Sequence, residues 1–218
     1  MEITHLGHAC LLIESGDQRI LIDPGNFSEL DGLRDLTAVI VTHQHADHCD
    51  LERVPGLLAD NPDATVLAEP QTAEQLEEKG LGERVERLVA GQVVQLGSVE
   101  VTPVGELHAP NHPYVPRVGN VGVVLRGDGP TLYHPGDAVD GEPGEVDLLA
   151  VPINAPWSKV AETIEFVRRI APARAIIPIH DALLSDAGRK MYLTHVGDFG
   201  ADGGVEVLDL RGAGATSV

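Results

Sequence analysis

The feature that most constrains this chain is a run of four apolar residues, Ala38-Val39-Ile40-Val41, that leads directly into Thr42-His43-Gln44-His45-Ala46-Asp47-His48. An unbroken apolar run of this length reads as a strand buried on both faces, which needs a sheet covered on both sides. Residues two apart in extended chain point to the same side, so His43 and His45 can share one target. A helix begun after them would return Asp47 and His48 near the same point. Imidazoles with a carboxylate are the donors a borderline divalent metal such as zinc prefers. Four candidate ligands at one strand end exceed what one four-coordinate ion can use while keeping a water. Two ions, each completed from elsewhere in the chain, fit the count.

The rest of the pattern supplies the layers. Ile3 to Leu6, Cys10 to Ile13 and Arg19 to Ile22 are apolar runs punctuated by Ser15-Gly16-Asp17 and Asp23-Pro24-Gly25-Asn26, a meander of antiparallel strands. Further strands are expected at 65–68, 85–89, 93–96, 99–104, 121–125, 131–134, 148–151, 173–179 and 205–210. Leu51, Val54, Leu57 and Leu58 have helical spacing across 50–59. Thr72-Ala73-Glu74-Gln75 has capping-box form and opens a helix stopping at Lys79-Gly80. The clearest helix runs from Lys159 to Ile170, with Val160, Ile164, Val167 and Ile170 on one face. Strands in two groups, each followed by helices, and no linker-like stretch predict one domain over 1–218. Its two packed sheets would be covered by helices.

Charge excludes several partners. Fifteen Lys and Arg stand against 34 Asp and Glu, a formal net charge of −19, and aromatic residues make up only 3%. A chain this acidic repels polyphosphates and anionic lipid surfaces at long range, and it lacks the aromatics for a base-stacking platform. The expected partner is a small molecule, with no nucleic acid and no membrane. The start, Met1-Glu2-Ile3-Thr4-His5, has no signal-peptide character, and Cys10 and Cys49 are the only cysteines. A cytoplasmic location is the expectation. The oligomeric state is left open.

The His-x-His-x-Asp-His string resembles the hallmark of the metallo-β-lactamase-fold superfamily, and further matches fall in the same chain order. His108 in Glu106-Leu107-His108 resembles its third histidine. Asp137 in Tyr133-His134-Pro135-Gly136-Asp137 resembles its metal-bridging aspartate, and His180 in Ile177-Pro178-Ile179-His180 its last ligand. Gly7-His8-Ala9 and Leu21-Ile22-Asp23-Pro24 are similar to the opening strands of small bacterial metal-dependent hydrolases related to ascorbate-6-phosphate lactonase. The resemblance implies an α/β (α+β) fold, a four-layer αβ/βα sandwich of two mixed sheets flanked by helices, with the site at one edge. It implies that His43, His45 and His108 hold one metal, that Asp47, His48 and His180 hold a second, and that Asp137 bridges them. Two divalent ions are expected, Zn2+ by preference, with Mn2+ or Fe2+ as alternatives.

Other residues divide between functional and bland readings. His112 and Arg117 lie in a loop that would cover the site, where His112 competes with His108 for the third position or meets substrate. Arg117 could meet an anionic substrate or simply be an exposed loop cation. His134 precedes the Pro-Gly-Asp turn and reads as a group that orients its neighbours. His8 reads as a pocket residue or as one that orients a ligand, a reading the resemblance supports. Asn154 and Trp157 either line the pocket or, for Trp157, anchor the core. Cys49, next to His48, reads as a small packed residue rather than a thiolate ligand. His5 and His195 read as structural or surface residues. Relatives often follow the bridging aspartate with Thr, whereas Ala138 stands here.

The resemblance implies a hydrolase in which a hydroxide shared by two ions attacks a small-molecule ester, lactone or amide, with Asp47 and Asp137 as catalytic carboxylates. A phosphodiesterase acting on a small phosphodiester or cyclic nucleotide is the alternative. A metal-binding protein without turnover is the reading from a different class.

Overall fold

Alternation decides which face each strand buries. In the computed structural model, which describes residues 1–218, Ala38 and Ile40 of one strand face the space between two sheets, while Val39 and Val41 face a layer of helices. All four are fully buried, as the apolar run requires. Three apolar clusters result. The largest lies between the sheets and includes Ile3, Leu11, Ile13, Ile22, Ile40, Val101, Val123, Leu125 and Ile177. A second packs Leu21, Val39 and Val66 against helices carrying Val54, Leu58 and Leu76. A third packs Tyr133, Leu149 and Val151 against Phe166, Val167 and Val196. The architecture is therefore helices, sheet, sheet, helices.

The first sheet is formed by β1 (Glu2–Gly7), β2 (Cys10–Ser15), β3 (Gln18–Ile22), β4 (Ala38–Val41), β5 (Thr65–Ala68) and β6 (Val85–Arg87). The second holds β7 (Val94–Leu96), β8 (Val99–Val104), β9 (Gly122–Arg126), β10 (Leu132–His134), β11 (Leu148–Pro152) and β12 (Ala175–Ile179). A closing strand, β13 (Thr216–Ser217), returns to the first sheet beside β1. β1 to β3 form the antiparallel meander, after which β3 to β6 run parallel. In the second sheet β7 to β10 are antiparallel and β10 to β12 parallel. Within each sheet β1, β3 and β4, or β8, β10 and β12, thus share one direction, and their C-terminal ends reach the same edge. No helix is long and apolar enough to cross a membrane.

Four helices complete the layers: α1 (Val54–Asp60), α2 (Pro70–Glu78), α3 (Val160–Ile170) and α4 (Asp186–Phe199). Two expectations need correction, and one helix was not expected. α2 opens at Pro70, not at Thr72, because the Glu69 carboxylate accepts from Thr72 N at 2.9 Å and proline suits a first turn. The segment 205–210 is no strand; it touches β12 through one parallel bridge, Ile176 to Val207. α4 carries no clear apolar stripe, with only Arg189 and Val196 buried along it, so periodicity did not announce it.

Candidate metal centre

Every candidate ligand follows one of the strands that end at the shared edge. After β4 the chain stays extended long enough to place Gln44 against α2, where its Oε1 accepts from Gln75 Nε2 at 2.7 Å. His43 and His45 take the opposite side, with His43 Nε2 and His45 Nδ1 3.0 Å apart. The helix expected next is absent. One tight turn, closed by His48 N and Cys49 N on the His45 carbonyl (2.9 and 2.8 Å), brings Asp47 and His48 back instead. The loop after β3 packs so closely on this turn that a Cβ at Gly25 would lie 1.8 Å from the Asp47 carbonyl oxygen. Gly136 is equally confined: a side chain there would meet Asn120 Oδ1 at 2.3 Å and Thr42 Oγ1 at 2.7 Å. Three of the five non-glycine residues with left-handed backbone, His8, Asp23 and His180, sit at this edge. Such strain persists only where the surroundings enforce it.

Two groups of donors form. His43, His45, His108 and Asp137 make one, and His8, Asp47, His48 and His180 the other, with the ligand atoms of each group within 4.8 Å of one another. Asp137 lies between them. Its Oδ1 is 3.0 Å from His48 Nε2, and its Oδ2 is 3.1 Å from His180 Nε2 and 3.4 Å from His108 Nε2.

The hydrogen bonds fix which ring nitrogen faces inward. Thr42 Oγ1 donates to Asp23 Oδ2 (2.8 Å), so it accepts from His43 Nδ1 (3.1 Å). His48 Nδ1 donates to Asp23 Oδ2 at 2.6 Å, His108 Nδ1 to the Ala109 carbonyl at 2.5 Å, and His180 Nδ1 to the Asn154 carbonyl at 2.6 Å. Each of these rings therefore turns Nε2 into the cluster. Among the buried side-chain polar atoms without a hydrogen-bond partner are His48 Nε2, His108 Nε2, His180 Nε2 and Asp137 Oδ1. Buried polar atoms are rarely left unpaired, and four converging on one point are what divalent cations would satisfy. The donor set, imidazoles with two carboxylates, fits such ions.

His8 differs. Its Nδ1 accepts from Ala182 N at 3.3 Å, so the proton sits on Nε2, which donates to Asp47 Oδ2 at 3.2 Å. Neutral His8 thus orients Asp47 instead of offering a free lone pair.

Electrostatics separate the histidines further. Burial, with His48 beside it, pushes the His43 pKa well below the usual imidazole value, and burial likewise lowers His45 and His8. Burial would also lower His48, but the Asp137 and Asp23 carboxylates overcome it and hold His48 well above. Burial pulls the Asp137 and Asp47 pKa values upward, yet their histidine neighbours hold Asp137 well below the carboxylate range and Asp47 at about 2. A divalent cation held at His48 Nε2 would compete with the proton that these two carboxylates favour there.

Other expected site residues are placed as follows. Trp157 reaches the cluster, its indole N–H donating to Asp137 Oδ2 at 2.9 Å. Asn154 contributes only its carbonyl. His134 does not line a pocket: it is fully buried, with Nε2 on the Ala9 carbonyl at 2.8 Å and Nδ1 on Gly136 N. His112 is exposed and turns to its own loop, stacking edge-on to Tyr114. Arg117 also faces no donor, because its Nε is spent on the His108 carbonyl and its guanidinium lies near Asp140. Cys49 is buried among apolar side chains, and burial pushes its thiol up to about 12. His195 bonds its own helix.

Sequence reasoning passed over Asp23, Thr42 and Asn120. Asp23 read as turn punctuation, although a carboxylate ending a buried strand was the available signal. Here it bonds Thr42 N, Thr42 Oγ1 and His48 together. Asn120 accepts from Asp137 N at 2.9 Å and donates to the Pro135 carbonyl, fixing the turn that presents Asp137.

The β-lactamase superfamily domain matches residues 2–180. Protein Rv0786c of Mycobacterium tuberculosis is 43% identical over 196 residues, covering 88% of this chain and 89% of the relative. A UPF0173 metal-dependent hydrolase of Pyrococcus furiosus is 32% identical over 196 residues, covering 83% and 84%. Among solved structures, the metallo-β-lactamase-fold protein YhfI of Bacillus subtilis superposes with a TM-score of 0.68 at 17% identity, covering 95% of each chain. With its sandwich, its strand-end donors and these matches, the chain belongs to the metallo-β-lactamase-fold superfamily, among its metal-dependent hydrolases.

Proposed function

We propose that this chain hydrolyses a small-molecule ester, lactone or amide with two divalent cations, zinc being the ion its donors suit best. The observation that carries the reading is the convergence of two donor groups on Asp137, with four buried donor atoms there that make no hydrogen bond. His43, His45 and His108 would hold one ion, Asp47, His48 and His180 the other, and Asp137 both. When bound, such ions supply an activated water at neutral pH and polarise the bond under attack. The chain's own residues do the rest. Asp47 is the more open carboxylate, 26% exposed against 3% for Asp137. Its Oδ2 is held by His8, which leaves Oδ1 to take a proton from the attacking water.

The surroundings support an organic substrate with an apolar part. Phe27 is 44% exposed and lies edge-on to His8, with ring centroids 5.3 Å apart. Leu183, three residues beyond His180, is 61% exposed. The net charge of −19 favours a small molecule over a long polyanion. Metal content measured alongside turnover of lactones, thioesters and bis-aryl phosphates tests the reading. Ester or lactone cleavage with about two metals per chain is expected. Cleavage of the aryl phosphate alone would replace the ester by a phosphodiester. Bound metal with no turnover on any of them would leave a binding protein.

A further inference from the structure

One turn, between β11 and α3, reaches the donor cluster at two points. The Asn154 carbonyl takes His180 Nδ1–H at 2.6 Å, and three residues later the Trp157 indole N–H meets Asp137 Oδ2 at 2.9 Å. The turn is itself braced, by a bridge between Ala155 and Ser158 and by Ser158 Oγ against Thr163 Oγ1 (3.2 Å) in the first turn of α3. The indole ring is half-buried and stands edge-on to His108 and His180, with centroids 5.8 and 6.2 Å away, one histidine from each donor group. An indole nitrogen only donates, so this bond has one direction and needs an unprotonated carboxylate oxygen.

We propose that Trp157 is a positioning residue for Asp137. Its N–H fixes the rotation of the carboxylate, so that Oδ1 is left toward His48 and Oδ2 is held between His108 and His180. The proposal rests on the reading of Asp137 as the ligand shared by both ions. An anchor of the apolar core would touch the packed cluster that holds Phe166 and Val167, whereas Trp157 lies outside that cluster and against the ligand rings. The braced turn explains how a half-buried loop side chain keeps its orientation. One loop thus orients two ligands that come from different strands.

Trp157 is the only tryptophan in the chain, so tryptophan emission reports on this site alone. The test strips the full chain with a chelator and titrates Zn2+ back while recording tryptophan emission and zinc stoichiometry. In parallel, zinc affinity is measured for wild type and Trp157→Phe by competition with a chromophoric chelator, with thermal denaturation of both metal-free proteins. The expected result is an emission change that saturates with zinc, and an affinity loss of about 10- to 100-fold in Trp157→Phe, the usual cost of removing a ligand's hydrogen-bond partner. A purely structural tryptophan would lower only the denaturation temperature. Zinc binding by Trp157→Phe equal to that of wild type would overturn the proposal. So would wild-type emission that ignores bound zinc, a readout that survives if the variant fails to fold. Wild type that binds no zinc would remove the metal reading itself, a failure distinguishable from that of Trp157.

Discussion

His43 and His48 lie five residues apart in one segment, both fully buried, with ring centroids 4.1 Å apart, yet their proton affinities are shifted in opposite directions. Burial acts on both alike and disfavours the charged ring. The difference lies in what each ring touches. His43 Nδ1 meets a hydroxyl, whereas His48 lies between two carboxylates, Asp23 at 2.6 Å and Asp137 at 3.0 Å. The partner, and not the depth, sets the sign for a buried titratable group. Asp23 reaches both rings, bonding His48 directly and His43 through Thr42.

Removing the residue that joins the two halves should have the largest effect. Asp137→Ala is expected to lose the paired metal site and to reduce kcat/KM by more than the roughly 10–100-fold that losing a ligand's hydrogen-bond partner costs. Metal analysis with kinetics checks this, and full activity with two metals per chain would refute the assignment. Asp23→Asn removes the carboxylate behind His48 and should weaken metal binding by about 10–100-fold, read by chelator competition. Thr42→Val removes the hydroxyl that accepts from His43 and itself donates to Asp23; the bond facing His43 is neutral and worth about 1 kcal/mol, so the loss of metal affinity should stay under about tenfold. Equal losses in these two variants would erase the distinction.

The opposite shifts also predict opposite pH limbs in the metal-free protein. His43 has a folded pKa below its ordinary 6.5, so the unfolded chain binds the proton first and stability falls as pH drops below 6.5. His48 has a raised folded pKa, so its contribution is complete below 6.5 and lost as pH rises through the folded value. Thermal denaturation in chelator from about pH 4 to about pH 9 should show both limbs. His43→Gln should make the acidic one shallower, since buried His8 and His45 also feed it, and His48→Gln should flatten the alkaline one. Asp47 adds a loss at lower pH, as it protonates between 3.8 and about 2. The smallest effect is expected at Cys49→Ala: about 1 kcal/mol of stability from lost packing, with unchanged metal content, because the buried thiol is no ligand.

Much of this centre was legible residue by residue. The apolar run 38–41 announced a strand buried on both faces, and period-two alternation put His43 and His45 on one side with Gln44 on the other. Three features escaped. α4 lacks a periodic stripe, and its buried Arg189 is satisfied by Asp181 and Asp209, which lie far apart in the chain. The return of Asp47 and His48 needed no helix, because one turn sufficed. Asp23 looked like loop punctuation because its role depends on β4 lying beside β3, a pairing that leaves no local trace in the sequence.

Pattern and donor chemistry by themselves determined the layered sandwich, the strand ends that carry chemistry and the residue types that a metal would take. The tertiary structure decided the tautomers, the sign of each pKa shift and which carboxylate backs which ring. It also set Trp157 on Asp137, made His8 the donor that orients Asp47, held His134 against the turn before Asp137, and turned His112 to its own loop. The physical reason is range. Alternation and turn chemistry act over a few neighbouring residues, whereas a hydrogen bond between residues 39 apart, as from His8 to Asp47, exists only once the sheets have closed on each other.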